Sequence, residues 1–403
     1  MNIKREVIGE GAYGCVLSPS IHCSNTKVDY TNKVSKIMKT NNAEQELREF
    51  VFMSKIDPTN DYHLGTPTLC KPNLKEPYVV SDIQKCTRID ADNVTREPKD
   101  YSLLVLQNGG PDLKMFCYKT ISNYLKRDKQ ERTKKFWLEV RHLLKGLQFF
   151  RRHGLVHNDV KPQNILFNTN NGKMRYIDFG TMRPKSTIVK TSKKSTNGLS
   201  IYHWSYPLDC GTMNKNAFQH YKSRAKLWEK ELSEIIVDQS DKNTIELPIL
   251  KPESFRVLFT YLNPKNSVLS ADIQKQYIHS FFQGYNSLIH MKSYDQILDF
   301  TVDSIDVYGL GITLQFIANC FKRHNALTNR EFTMLSAFFN KMYSFNPLHR
   351  VVDIDALIDE YDAILQNFNQ SLIDTGRRVK RNHTVKHMKK NVKNRVKTRK
   401  YRY

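Results

Sequence analysis

His157-Asn158-Asp159-Val160-Lys161-Pro162-Gln163-Asn164, followed by Asp178-Phe179-Gly180, sets a carboxylate, a lysine and a carboxamide on one short loop. A second carboxylate follows 14 residues beyond Asn164. This set suits the transfer of a phosphoryl group from a metal-bound nucleoside triphosphate. Asp159 can accept the proton of an incoming hydroxyl, and Lys161 can hold the transferring phosphate. Asn164 and Asp178 offer the oxygen ligands that hard Mg²⁺ prefers.

The surrounding chain supplies further parts. Ile8-Gly9-Glu10-Gly11-Ala12-Tyr13-Gly14-Cys15-Val16 carries the pattern G-x-G-x-x-G-x-V between two β-prone runs. Glycines alone would read as a turn, but strand-turn-strand lets backbone N–H groups approach phosphate oxygens, with Tyr13 at the tip. Lys33 to Met38 alternates as a strand should and presents Lys36. Ala43 to Ile56 reads as a helix with Leu47, Phe50 and Met53 on its apolar stripe, and it carries Glu44, Glu46 and Glu49. Ser102 to Leu106 reads as a buried strand ending in Gln107-Asn108-Gly109-Gly110. Phe136, Val140, Leu143, Leu144, Leu147 and Phe150 recur at helical spacing just before the opening motif.

In this order the motifs resemble those of the eukaryotic-type serine/threonine protein kinases. The resemblance implies an α+β, two-lobed fold: a small β-rich lobe over residues 1–108 and a mostly helical lobe over 109–372. It implies Mg²⁺ and ATP as cofactors and protein hydroxyls as acceptors. Asp159, Lys161 and Asn164 would be catalytic, with Asn164 and Asp178 on the metal. Residues 8–16 would cover the phosphates. Lys36 would grip them, paired with Glu49 (Glu46 second). Gln107 and Gly109 would meet the purine edge beside Leu106. Lys161, two residues past Asp159, favours serine or threonine over tyrosine as the acceptor.

Departures are as informative as matches. His157-Asn158-Asp159 lacks the arginine that usually pairs with a phosphorylated activation loop, so loop phosphorylation is not required on this reading. Thr181 to Ser200 has no apolar period and reads as a flexible substrate-docking segment. Tyr206-Pro207-Leu208-Asp209 shortens the family's glutamate to aspartate, leaving its pairing with Arg350 less secure. Asp306-Val307-Tyr308-Gly309-Leu310-Gly311 is similar to the start of the family's central helix. Residues of about 213–300 form an insertion. Phe218, Tyr221, Ala225, Trp228, Leu232, Ile235 and Ile236 give it helical spacing, as do Ile273, Tyr277, Phe281, Tyr285 and Leu288. It reads as a packed helical subdomain or as a docking platform.

With 403 residues, 39% of them hydrophobic, the chain can bury a sizeable core, and no apolar run is long enough to span a membrane. The glycine run begins at residue 9, which argues against a leader peptide. Seven scattered cysteines without C-x-x-C spacing read as reduced thiols of an intracellular, cytoplasmic protein; a nuclear or virion location fits too. Of the net charge of +23, 13 Lys or Arg and no acid fall from Arg377 onward, within a basic arm over 373–403. Such an arm suits nucleic acid or another polyanion, or a solvated tail with no partner. Lys185, Lys190, Lys193 and Lys194 suggest acidic or phosphorylated protein substrates. Three rival readings stand: a small-molecule phosphotransferase, a pseudokinase scaffold, and a nucleic-acid-binding protein with a vestigial kinase fold. Richness in Lys, Asn, Ile, Tyr and Phe is similar to that of kinases encoded by large DNA viruses.

Overall fold

Two glycine-flanked strands open the chain. β1 (Glu6–Glu10) and β2 (Gly14–Ser18) pair as an antiparallel hairpin, with Glu10 opposite Cys15. β3 (Lys33–Lys39) runs directly into α1 (Thr40–Ile56). After β4 (Thr68–Cys70) come two short helices, α2 (Val79–Ile83) and α3 (Ala91–Arg96), and then β5 (Tyr101–Gln107). The strands form one antiparallel sheet in the order β1-β2-β3-β5-β4. The computed structural model describes residues 4–366 and 368, apart from 12, 196–202, 239–251, 264 and 266–268. Ala12 and the basic arm over 373–403 therefore lie outside the described residues, as do the side chains of Trp228, Leu232, Ile235 and Ile236.

Side chains along a strand alternate between the two faces of its sheet. Val34, Met38, Leu104 and Leu106 pack on one face with Phe50 and Met53 of α1. Ile37, Leu103 and Val105 pack on the other with Ile83 of α2 and Val94 of α3. Both faces are covered, which is why Tyr101 to Leu106 is apolar, apart from Ser102, and buried throughout.

The chain leaves the sheet through Asn108 to Asp112 and enters a helical lobe. It begins with α4 (Leu113–Met115), a π turn over Phe116–Thr120, α5 (Ile121–Leu125) and α6 (Lys129–Arg152). α6 buries the expected stripe from Phe136 to Phe150. Four short strands follow: β6 (Leu155–Val156), β7 (Ile165–Asn168), β8 (Lys173–Tyr176) and β9 (Arg183–Pro184), with β6 paired to β9 and β7 to β8. Then come α7 (Lys185–Lys194), α8 (Lys215–Asp238), α9 (Pro252–Leu262), α10 (Ala271–Met291), α11 (Tyr294–Arg323), α12 (Asn329–Tyr343) and a helix over 354–366. The small sheet lobe and the larger helical lobe agree with the expected architecture.

α11 is the post of the larger lobe. It is apolar nearly all round and buried from Ser304 to Phe321, the pattern of a helix enclosed by others. Asp306 was expected near its start. The helix instead begins at Tyr294, where Ser293 and Gln296 form a reciprocal capping box. The described helices of the inserted stretch pack on one another: Tyr221 of α8 stacks on Phe282 of α10 at 6.0 Å, and Phe281 and Tyr285 are buried.

Two further expectations change. Cys15–Cys86 and Cys23–Cys70 are disulfides, so four of the seven cysteines are not free thiols. Their separations of 71 and 47 residues make the pairing invisible in sequence spacing; the sheet and the α2–α3 cover bring them together. The inference of a reducing compartment loses that support. The segment after Asp178 is also not uniformly loose. Lys185–Lys194 is helical, with Ile188 and Val189 packed against Val156, Leu298 and Val302. Among the described residues, no helix is long and apolar enough to cross a membrane.

Candidate active site

The loop between β6 and β7 is held from below by α11. Asp306 is buried, and its carboxylate accepts the N–H groups of His157 at 2.7 Å and Asn158 at 2.8 Å. Burial pushes its pKa up to about 6, while those two N–H groups pull the other way. Asn158 sits at φ 64°, a left-handed conformation that asparagine tolerates well. Gly309 of α11 lies against the same loop: a β-carbon there would come within 2.3 Å of the Val160 carbonyl oxygen. Close approach of helix to loop therefore requires glycine.

Asp159 Oδ2 accepts from Lys161 Nζ at 2.7 Å and from Asn164 Nδ2 at 2.7 Å. Asn164 Nδ2 also donates to the Asp159 carbonyl at 2.9 Å, so its amide oxygen faces away from Asp159. The second carboxylate arrives through β8. Ile177 N–H donates to the Asn164 carbonyl at 3.0 Å, and Thr181 Oγ1 donates to the His157 carbonyl at 3.0 Å. Asp178 then takes φ 64°, and its carboxylate accepts no hydrogen bond among the described residues. His157 is fully buried between Phe150, Tyr176 and Phe179, and burial lowers its pKa. It supports the loop as a neutral ring.

Lys36 lies on β3, and its Nζ meets Glu46 Oε2 at 2.6 Å. This corrects the expectation that Glu49 is its partner. The two acids are three residues apart and share a helix face. α1 starts directly after β3, so the nearer acid reaches Lys36. Glu49, one turn on, leans toward the second motif: its carboxylate lies about 3.4 Å from where a β-carbon on Gly180 would sit. Burial, reinforced by the negative charges of Glu46 and Asp178, raises its pKa. Losing a charge-assisted hydrogen bond of this kind costs about 10- to 100-fold in an affinity or rate. On the expectation that Lys36 grips the phosphates of ATP, Glu46→Gln should lower kcat/KM for ATP by that factor, and Glu49→Gln by less than threefold (~0.6 kcal/mol). Steady-state kinetics at varied ATP check the order; the reverse order would restore Glu49.

The glycine run forms the turn between β1 and β2, where Gly11 N–H donates to the Gly14 carbonyl at 2.9 Å. Gly14 backs onto β3, and a β-carbon there would come within 2.8 Å of the Ile37 carbonyl oxygen. Tyr13 is exposed, as is Ile8, and Val16 packs on the main core. Cys15 faces away from the cleft side, bonded to Cys86. Glu10 likewise turns outward and accepts from Thr87 N–H at 2.5 Å and Thr87 Oγ1 at 2.9 Å. The α2–α3 segment thus grips both ends of the turn. Sequence reasoning missed this, because helices of five and six residues leave no periodic signal. In the linker between the lobes, Gln107 ends β5 opposite Lys33, and Gly109 faces Leu166 and Leu64. No group hydrogen-bonds the Gly109 backbone among the described residues.

On the far side, Lys185 pairs with Asp299 at 3.0 Å and Asp303 at 2.9 Å, and Lys193 pairs with Asp295 at 3.0 Å. Two of the four lysines assigned to acidic substrates are therefore occupied by α11. Lys190 and Lys194 remain exposed. Asp209, expected to be a weak partner, is fully buried and holds Arg350 Nη1 at 2.9 and 3.1 Å.

The family model described as Protein kinase domain matches residues 75–202, which span the linker, the Asp159 loop and Asp178 but not the glycine run or Lys36. Nik-related protein kinase of Homo sapiens is 20% identical over 168 residues, 41% of this chain and 10% of that protein. Mitogen-activated protein kinase p38b of Drosophila melanogaster is 22% identical over 227 residues, 55% of this chain and 50% of that protein. Serine/threonine-protein kinase SSK22 of Saccharomyces cerevisiae is 39% identical over 59 residues, 15% of this chain and 4% of that protein. The chain covers half or less of each relative's length. With the small antiparallel sheet lobe and the helical lobe joined at the linker, the chain has a two-lobed, protein-kinase-like fold.

Proposed function

We propose that this protein is a serine/threonine protein kinase, transferring the γ-phosphoryl group of ATP to protein hydroxyls. One observation carries the reading: Asp159 is held by Lys161 and Asn164 on a loop anchored to α11, while the Asp178 carboxylate beside it is left without a hydrogen-bonding partner among the described residues. A buried-loop carboxylate with fixed neighbours suits a base; an unpartnered one suits a cation. The donor set fits magnesium, since Asp178 and the amide oxygen of Asn164 are hard oxygen ligands. Magnesium bound there would neutralise charge on the phosphates.

This chain's own residues do the rest. Asp159 orients the acceptor hydroxyl and takes its proton. Lys161, already at 2.7 Å from Asp159, lies where it can follow the transferring phosphoryl group. Lys36, fixed by Glu46, holds the other phosphates, and the turn from Gly9 to Gly14 covers them with backbone N–H groups. Gln107 and Gly109 would receive the purine edge. Most of the rate would come from positioning and charge neutralisation. Lys161 supports serine or threonine as the acceptor.

Purified protein incubated with γ-labelled ATP, magnesium and casein is expected to label casein on serine or threonine, and EDTA is expected to stop it. Label confined to tyrosine would overturn the acceptor assignment. Absence of label on casein, histone and a broad peptide library would overturn the activity.

A further inference from the structure

We infer that Tyr261, contributed by the inserted helix α9, is a positioning residue for phosphotransfer: its hydroxyl holds the catalytic turn and its ring holds the loop on the acceptor side. The inference rests on the kinase reading above and extends it to the insertion.

Tyr261 is buried and touches both parts of the site. Gln163 Nε2 donates to its hydroxyl oxygen at 3.0 Å. Gln163 belongs to the tight turn Pro162–Asn164, closed by Asn164 N–H on the Lys161 carbonyl at 2.9 Å. Its neighbour in that turn, Asn164, is the group that fixes Asp159. On the other side, the Tyr261 ring stacks on Trp204 with centroids 4.3 Å apart and planes within 10°. Trp204 precedes Tyr206, whose hydroxyl donates to the Asn158 carbonyl at 2.5 Å. The loop 203–206 is thus tied to the catalytic loop at two points that flank Asp159: directly at Asn158, and through Tyr261 at Gln163.

Tyr261 is itself anchored from behind. Asn319 Nδ2 of α11 donates to the carbonyls of Tyr261 and Leu262 at 3.3 and 3.2 Å, and the ring meets Phe316 edge-on at 4.9 Å. A ring that only filled space would serve as well without its hydroxyl, since a buried hydroxyl costs free energy unless bonded. Here the hydroxyl meets a side chain of the catalytic turn. The insertion therefore completes the floor of the acceptor site rather than decorating the lobe.

The test compares wild type, Tyr261→Phe, Gln163→Leu and the double variant, with magnesium, ATP and casein. Tyr261→Phe keeps the ring and removes only the oxygen. Each single change is expected to lower kcat about 3- to 10-fold, with KM for ATP little moved, and the pair is expected to lose no more than either alone. A space-filling ring predicts a lower Tm with unchanged kcat, and that result overturns the inference, as would losses that multiply in the double variant. Should Tyr261→Phe fold poorly, Gln163→Leu carries the same test from the other end of the bond. A wild type inert toward all protein acceptors would overturn the kinase reading and this inference together; an active wild type matched in kcat by Tyr261→Phe would overturn this inference alone.

Discussion

Asp178→Asn is expected to lower phosphotransfer by at least ~10³-fold while leaving the fold intact. Its carboxylate has no hydrogen-bonding partner among the described residues and is exposed, so removing its charge breaks no hydrogen bond there and eases the repulsion on Glu49. Asparagine also tolerates the left-handed backbone at φ 64°, where alanine would add strain of about 1 kcal/mol. What would be lost, on the proposed reading, is the negative charge offered to magnesium. Asp159→Ala should be as damaging to transfer but for another reason: it removes the proposed base and leaves Lys161 and Asn164 without their shared acceptor. Because the two acids act on one event, the double variant should be little worse than either single one. Transfer of label to casein, with thermal unfolding of each variant in parallel, checks this. A folded Asp178→Asn protein retaining a tenth of wild-type transfer would remove Asp178 from the role.

Asp209→Ala is expected to destabilise the protein by about 3–5 kcal/mol, because it strands the Arg350 guanidinium in the interior. Both side chains of this pair are fully buried. Asp209 also accepts from Thr301 Oγ1 at 3.0 Å, and Arg350 Nε donates to the Ser344 carbonyl at 3.0 Å. The guanidinium sits 5.3 Å from the centre of the Tyr308 ring. At about 1.2 °C per kcal/mol for a chain of 403 residues, Tm should fall by roughly 4–6 °C. Replacing both partners at once, as Asp209→Leu with Arg350→Met, should recover part of the loss, since no charge is then left unpaired. Thermal and urea unfolding measure it. A drop below about 1 kcal/mol, the scale of a solvent-screened pair, would show that the pair is not buried in solution.

The parts of the site that lie close together in sequence were legible there. Asp159, Lys161 and Asn164 fall within six residues, and their chemistry follows from side-chain type and spacing. Strands β1, β2, β3 and β5 and helices α1, α6, α8 and α10 were legible as well: α6 carries its apolar stripe at helical spacing and β5 an apolar run broken only by Ser102. Other features were legible only as a choice among equals. Glu46 and Glu49 occupy the same helix face, and only the direct join of β3 to α1 selects the nearer one for Lys36. The basic segment after Asp178 looked loose because its lysines mask two apolar residues, Ile188 and Val189, and because its acidic partners lie more than 100 residues away on α11.

By itself the sequence determined the longer strands and helices (but not the short helices α2 and α3 or the helix α7), the glycine turn between the first two strands and the identity of the groups available for chemistry. These are local matters, set by backbone preference, apolar period and functional group. The tertiary structure alone decided the pairings: Lys36 with Glu46, Cys15 with Cys86, α7 with the acids of α11, and Gln163 with Tyr261 of the insertion. Each joins residues whose separation along the chain carries no spacing signal, and each exists because packing around α11 or the sheet brings those groups to hydrogen-bonding or covalent distance.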